Sequence, residues 1–196
     1  ILLTGWRCKR GSTLHPYRQR SSAALCARIK EFANNNNDEV WLVAHNAKFD
    51  ITMCSKEGLI IPNYIDTLKV VKFLDKDCVC EAYNLQYLRY YSGMEIDAAA
   101  HDAWGDILVL QELFWRLFQR LMQTEGITHD QAKGRMIEIT HNPAEVKKFT
   151  FGKHKGEWVA DVAIQNRSYL EWLYKEKLKD EEPDEDWLFT LEKHLN

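Results

Sequence analysis

The chain reads as an α/β protein, a mixed sheet flanked by helices, followed by a small α+β module at the carboxyl end. Three observations carry that expectation. Val40-Trp41-Leu42-Val43-Ala44 is a short continuous apolar run of the kind found in strands buried on both faces. Ile107, Leu110, Leu113, Phe114, Leu117, Phe118 and Leu121 fall on one broad stripe of a long helix. Beyond Asn142-Pro143 a second pattern begins near Lys147: Phe149-Thr150-Phe151 and Gly156-Glu157-Trp158-Val159 are spaced as a β-hairpin, and Ser168 to Leu178 as a helix with Tyr169, Trp172 and Leu173 inward.

The other elements follow in chain order. Residues 1–20 show neither a two-residue nor a 3.6-residue period. Ser21 to Phe32 places Ala23, Leu25, Cys26, Ile29 and Phe32 on one helical face, and Asn34 to Asn37 ends it. The strand through Leu42 delivers His45 and Asn46 to its carboxyl end, where open α/β sheets build their sites. Ile60 to Asp66 reads as a second strand, leading into a helix through Leu68, Val71 and Leu74. Tyr83 to Tyr91 reads as a helix with Asn84 as its N-cap. After Gly126 the pattern weakens into a polar connector, and Asp180 to Asp186 is an acidic loop before a short terminal helix. The expected division is a domain over residues 1–125, a connector over 126–146 and a module over 147–196.

With 196 residues, 45% hydrophobic and 28% charged, the chain has material for a core and is not a disordered protein. No run approaches the ~18 apolar residues of a membrane span, and Thr4, Gly5 and Arg7 interrupt the opening Ile1-Leu2-Leu3, so a soluble, cytoplasmic protein without a membrane role is expected. Five cysteines without paired spacing point to free thiols rather than disulfides or a zinc module. The net charge of -3 is uneven: residues 1–30 hold seven Lys and Arg and no acid, leaving all 29 acids to the rest. Such a basic arm suits phosphate contacts and equally a solvated tail.

Two segments place acids and a histidine at the ends of core elements. In Ala44-His45-Asn46-Ala47-Lys48-Phe49-Asp50, Asp50 follows the strand by one helical turn. In His101-Asp102-Ala103-Trp104-Gly105-Asp106, Asp106 enters the first turn of the long helix and His101 lies on the approach to it. A carboxylate pair with a nearby imidazole suits cation binding and proton abstraction from water. Taken singly, Asp106 equally serves the helix macrodipole.

These segments resemble the second and third motifs of the DEDDh group of DnaQ-like 3′-to-5′ exonucleases, the third being H-x-A-x-x-D. Ile65-Asp66-Thr67-Leu68 is similar to the family's usual strand ending. Phe149 to Gly156, Val159 to Ala163 and Tyr169 to Leu173 resemble the module that follows the nuclease domain in the exonuclease X branch. The resemblance implies an RNase H-like fold, with Asp50 and Asp106 as metal ligands and His101 as the general base. It implies two Mg²⁺ or Mn²⁺ ions, DNA as partner through single strands or 3′ ends, and nucleoside 5′-monophosphates as product. Asn46 and Phe49 would sit beside the terminal nucleotide, and Lys153 and Lys155 would contact DNA from the carboxyl module. There Lys147 and Lys148 also flank Phe149, Phe151 and Trp158, a composition that suits base stacking and equally a small core with a solvated rim.

One motif of the family is missing. Its Asp-x-Glu belongs on the opening strand, yet the first acid here is Glu31, and Thr4 and Trp6 stand where those acids would fall if Ile1-Leu2-Leu3 is that strand. The amino-terminal part of the nuclease domain is therefore expected to be incomplete. The alternative function is a catalytically inactive nucleic-acid-binding relative.

Overall fold

The computed structural model describes residues 2–3, 41–56, 58, 60–61, 63–97 and 103–196. The expected helix at Ser21 to Phe32, the basic arm from Thr4 onward, any strands between residues 4 and 40, and His101 lie outside the described residues. The chain divides into two compact units, one comprising residues 1–71 and 82–140 and the other residues 72–81 and 141–196.

The first unit is built on a sheet of three short parallel strands, β1 (Leu2–Leu3), β2 (Leu42–Ala44) and β3 (Tyr64–Asp66), in that spatial order. Leu3 lies opposite Val43, and Val43 opposite Ile65. All three β2 residues are buried, the pattern of a strand covered on both faces. Among the described residues the sheet is wholly parallel, so they do not show the mixed sheet expected from the sequence. Helix α1 (Ala47–Lys56) follows β2, and α2 (Thr67–Leu74) follows β3 without a loop. Helix α3 (Leu85–Tyr91) starts as expected at Asn84, whose side chain accepts from the Tyr87 N–H.

Helix α4 (Ala103–Glu125) is the core element its stripe announces: Leu110, Leu113, Phe114, Leu117, Phe118 and Leu121 are all buried. Val109 joins them and Ile107 is only half-buried. The segment expected as a connector carries α5 (His129–His141). Thr128 and Gln131 form a reciprocal capping box at its start, and Ala132, Met136 and Ile139, at i, i+4 and i+7, give it a narrow apolar stripe. That stripe is easily missed in an otherwise polar helix.

The second unit packs α6 (Val159–Gln165), α7 (Arg167–Lys177) and α8 (Glu185–Leu195) around Phe149, Val159, Val162, Leu170, Leu173, Trp187 and Leu191. The expected hairpin is reduced to a single antiparallel bridge, Lys148 with Trp158, closed by Phe149–Glu157 and Gly156–Phe149 backbone bonds. On α7 the inward residues are Leu170 and Leu173, with Tyr169 partly buried. Trp172, expected inward, is 52% exposed, because the i, i+3 core stripe runs through Leu170 rather than one position either side. The acidic loop does precede a terminal helix, whose N-cap is Asp184. Among the described residues no helix is long and apolar enough to cross a membrane, and Cys78 is a free thiol.

Candidate functional site

The carboxyl end of β2 gathers the most chemistry. Asn46 holds a left-handed backbone, φ 68°, a conformation Asn tolerates better than most residues. It turns the chain from strand into α1, so that Phe49 and Asp50 fall on the helix's first turn. Asp50 points inward and is buried; Phe49 points outward and is 47% exposed. Phe49 is therefore no part of the core.

The turn is held by a carboxylate from the next strand. Asp66, itself buried, accepts from the Asn46 N–H at 2.9 Å and the Ala47 N–H at 3.0 Å, capping α1. It also accepts from the Leu68 N–H at 2.9 Å, capping α2, while its own N–H donates to Thr140 Oγ1 on α5. Three donors on two oxygens make Asp66 an anchor for two helix ends. The adjacent Thr67 hydroxyl lies 3.0 Å from the Ala44 carbonyl and 2.9 Å from His45 Nδ1, and His45 Nε2 lies 2.5 Å from the Tyr83 carbonyl. A carbonyl only accepts, so Nε2 carries a proton. His45 thereby ties the end of β2 to the chain entering α3. Asp66, Thr67 and His45 are positional residues that motif reading left without roles; Asp-Thr directly before a helical pattern is the N-cap signal that marks one of them.

Asp106 lies in the first turn of α4 and is half-buried. Its Oδ1 accepts from Gln86 Nε2 at 2.8 Å, so α3 orients this carboxylate. The other end of that amide, Gln86 Oε1, is buried with no partner among the described residues, a donor-seeking oxygen beside Asp106. Asp50 and Asp106 thus belong to the same unit, one on α1 and one on α4. Among the described residues no three His, Cys, Asp or Glu side chains come together as a metal-ligand group. Two carboxylates are too few for a pair of hard divalent cations, so the described residues do not by themselves fit the expected ions.

Asn46 and Phe49 line one shallow depression of about 310 Å³ with Lys48, Thr52, Met53 and Lys56. Lys153 and Lys155 lie in the second unit, both exposed. The Lys153 ammonium sits 4.8 Å from the Tyr169 ring centre and Lys148 lies 4.5 Å from that of Trp158. The aromatics divide between two uses: Phe149 is core at 1% exposure, whereas Trp158 stands at the surface.

Comparison with known proteins bears on this arrangement. Residues 149–177 match the model of the exodeoxyribonuclease X-like C-terminal family. Exodeoxyribonuclease 10 of Escherichia coli, from strains K12 and O6:H1, is 30% identical over 139 residues, which cover 68% of this chain. The match covers 56% of the relatives, so the chain spans about half their length. A solved structure of exonuclease X in complex with 5′ overhanging duplex DNA matches at 24% identity and a TM-score of 0.38, covering 57% of this chain and 61% of the other. The chain is a relative of the DnaQ-like exonucleases. Within that group it is similar to the exonuclease X type, whose C-terminal module it carries.

Proposed function

We propose that this chain is a 3′-to-5′ exonuclease acting on DNA ends in the cytoplasm. Water attacks the terminal phosphodiester, the 3′ oxygen of the preceding nucleotide leaves, and a nucleoside 5′-monophosphate is released. The observation that carries the reading is the first turn of α1, where Asn46 and Phe49 face outward around a buried Asp50. The exposed Phe49 ring suits stacking on the terminal base. His101 is the base that would take the water's proton. Mg²⁺ or Mn²⁺ belongs to the reading: Asp50 and Asp106, the latter oriented by Gln86, would contribute two anionic ligands, with the others coming from outside the described residues. Lys153 and Lys155 would meet the phosphate backbone from the second unit.

A second reading, a nucleic-acid-binding relative without catalysis, is favoured by a specific observation: residues 1–30 contain no acid to complete that ligand set. A gel assay of 3′- and 5′-end-labelled single-stranded DNA with Mg²⁺ or Mn²⁺ decides between them. The enzyme shortens the strand from its 3′ end, and Asp106→Ala and His101→Ala each abolish this. Binding without shortening by the intact chain refutes the exonuclease reading.

A further inference from the structure

The outward face of α1 carries more than the two residues expected beside a terminal nucleotide. Lys48, Thr52 and Lys56 recur every fourth residue and therefore form one stripe, with Phe49 and Met53 forming a second stripe alongside. All five line the same depression, and among the described residues its lining contains no acid. Phe49 and Met53 are 47% and 37% exposed, and they make an apolar floor flanked by ammonium groups. Lys48 and Lys56 lie eight residues apart, ~12 Å along the helix at 1.5 Å per residue. That length covers a few nucleotides of a stacked strand rising ~3.4 Å each.

We propose that this face of α1 is a track for single-stranded DNA. Phe49 and Met53 pack against bases, and Lys48 and Lys56 pair with phosphates on the 5′ side of the terminal nucleotide. The proposal rests on the exonuclease reading for its orientation, and charge complementarity commits it to a polyanion. The depression combines stacking surface with cations at the spacing of a strand, as single-strand binders do. Thr52 Oγ1 donates to the Lys48 carbonyl at 2.7 Å, so this hydroxyl is satisfied within the helix.

The test uses the full chain and fluorescently labelled oligo(dT) in EDTA, where no cleavage competes, with anisotropy read across a salt series. Lys48→Gln/Lys56→Gln is expected to weaken binding roughly five- to tenfold and to flatten the plot of log affinity against log salt by about 1.4, since each phosphate contact on a single strand contributes ~0.7. Met53→Ser is expected to weaken binding without changing that slope. Circular dichroism confirms that each variant folds, and Lys153→Gln/Lys155→Gln reports separately on the second unit. Unchanged affinity and slope in the α1 double variant overturn the track, even where the chain shortens DNA and the exonuclease reading stands. A chain that follows the expected slopes yet never shortens DNA keeps the track and loses the nuclease. Failure of the intact chain to bind oligo(dT) also overturns the track.

Discussion

Replacing Asp66 by Ala tests how the β2 end is held. The substitution removes the acceptors of three backbone N–H groups, those of Asn46, Ala47 and Leu68. Loss of a cap costs ~1 kcal/mol per helix, and two helices lose theirs. Ala47 is fully buried, so its N–H is left without water, adding roughly 1–3 kcal/mol. The Asn46 and Leu68 amides are nearer solvent and add little beyond the cap terms. The sum is about 3–5 kcal/mol, a large part of a typical domain stability of ~5–15 kcal/mol. Asp66→Asn separates charge from shape: its single carbonyl oxygen keeps two donors, while its NH₂ opposes the Ala47 N–H, for a loss of about 2 kcal/mol. Urea denaturation followed by circular dichroism measures the loss, and amide hydrogen exchange localises it. Exchange at Asn46, Ala47 and Leu68 should accelerate by orders of magnitude, while amides of α7 in the second unit keep wild-type protection. An Asp66→Ala variant within about 0.5 kcal/mol of wild type would refute the anchoring role.

Further outcomes follow from the second unit. Gly152 holds φ 68°, and a Cβ there would lie 2.9 Å from the Tyr169 hydroxyl; Gly152→Ala is expected to cost ~1–2 kcal/mol by thermal melting, from the left-handed backbone alone. Phe149→Ala empties the centre of that core and should cost ~3–5 kcal/mol or leave the unit unfolded, read by amide exchange in α6 to α8. A hydrogen bond from Lys193 holds the Glu145 carboxyl below its usual range, with His194 adding to it. A depressed acid stabilises above its unfolded pKa and loses that contribution as pH falls through the folded value. The melting temperature should therefore drop more steeply below pH ~4.5 in wild type than in Glu145→Gln, the difference staying under about 1 kcal/mol because the pair is partly solvated. Burial pushes the Cys78 thiol up despite the neighbouring Lys147, so iodoacetamide should label it more slowly at pH 7.5 than it labels the unfolded chain, as mass spectrometry would show.

What could be read from the sequence was whatever is written at short range. The α4 stripe, the Asn84 cap, the buried β2 run and the acidic loop before α8 each depend on neighbours within a few residues, and the structure reproduces them. The module at residues 149–177 was legible because its residue types sit at fixed spacing. Helix α5 was also written locally, in the Thr128–Gln131 capping box, but its three-residue apolar stripe was too narrow to stand out among polar neighbours. The tertiary structure alone decided the rest. Asp66 anchors two helices and reaches Thr140, 74 residues away, His45 bonds to the Tyr83 carbonyl 38 residues on, and Gln86 orients Asp106 across 20. Trp172 and Leu170 show the same limit at closer range: both suit a core, and only the packing of α7 against Phe149 and Trp187 chose Leu170. A periodic pattern states which residues share a face, but which polar group meets which is settled only when distant elements pack, because an unpaired buried donor or acceptor is then too costly to leave.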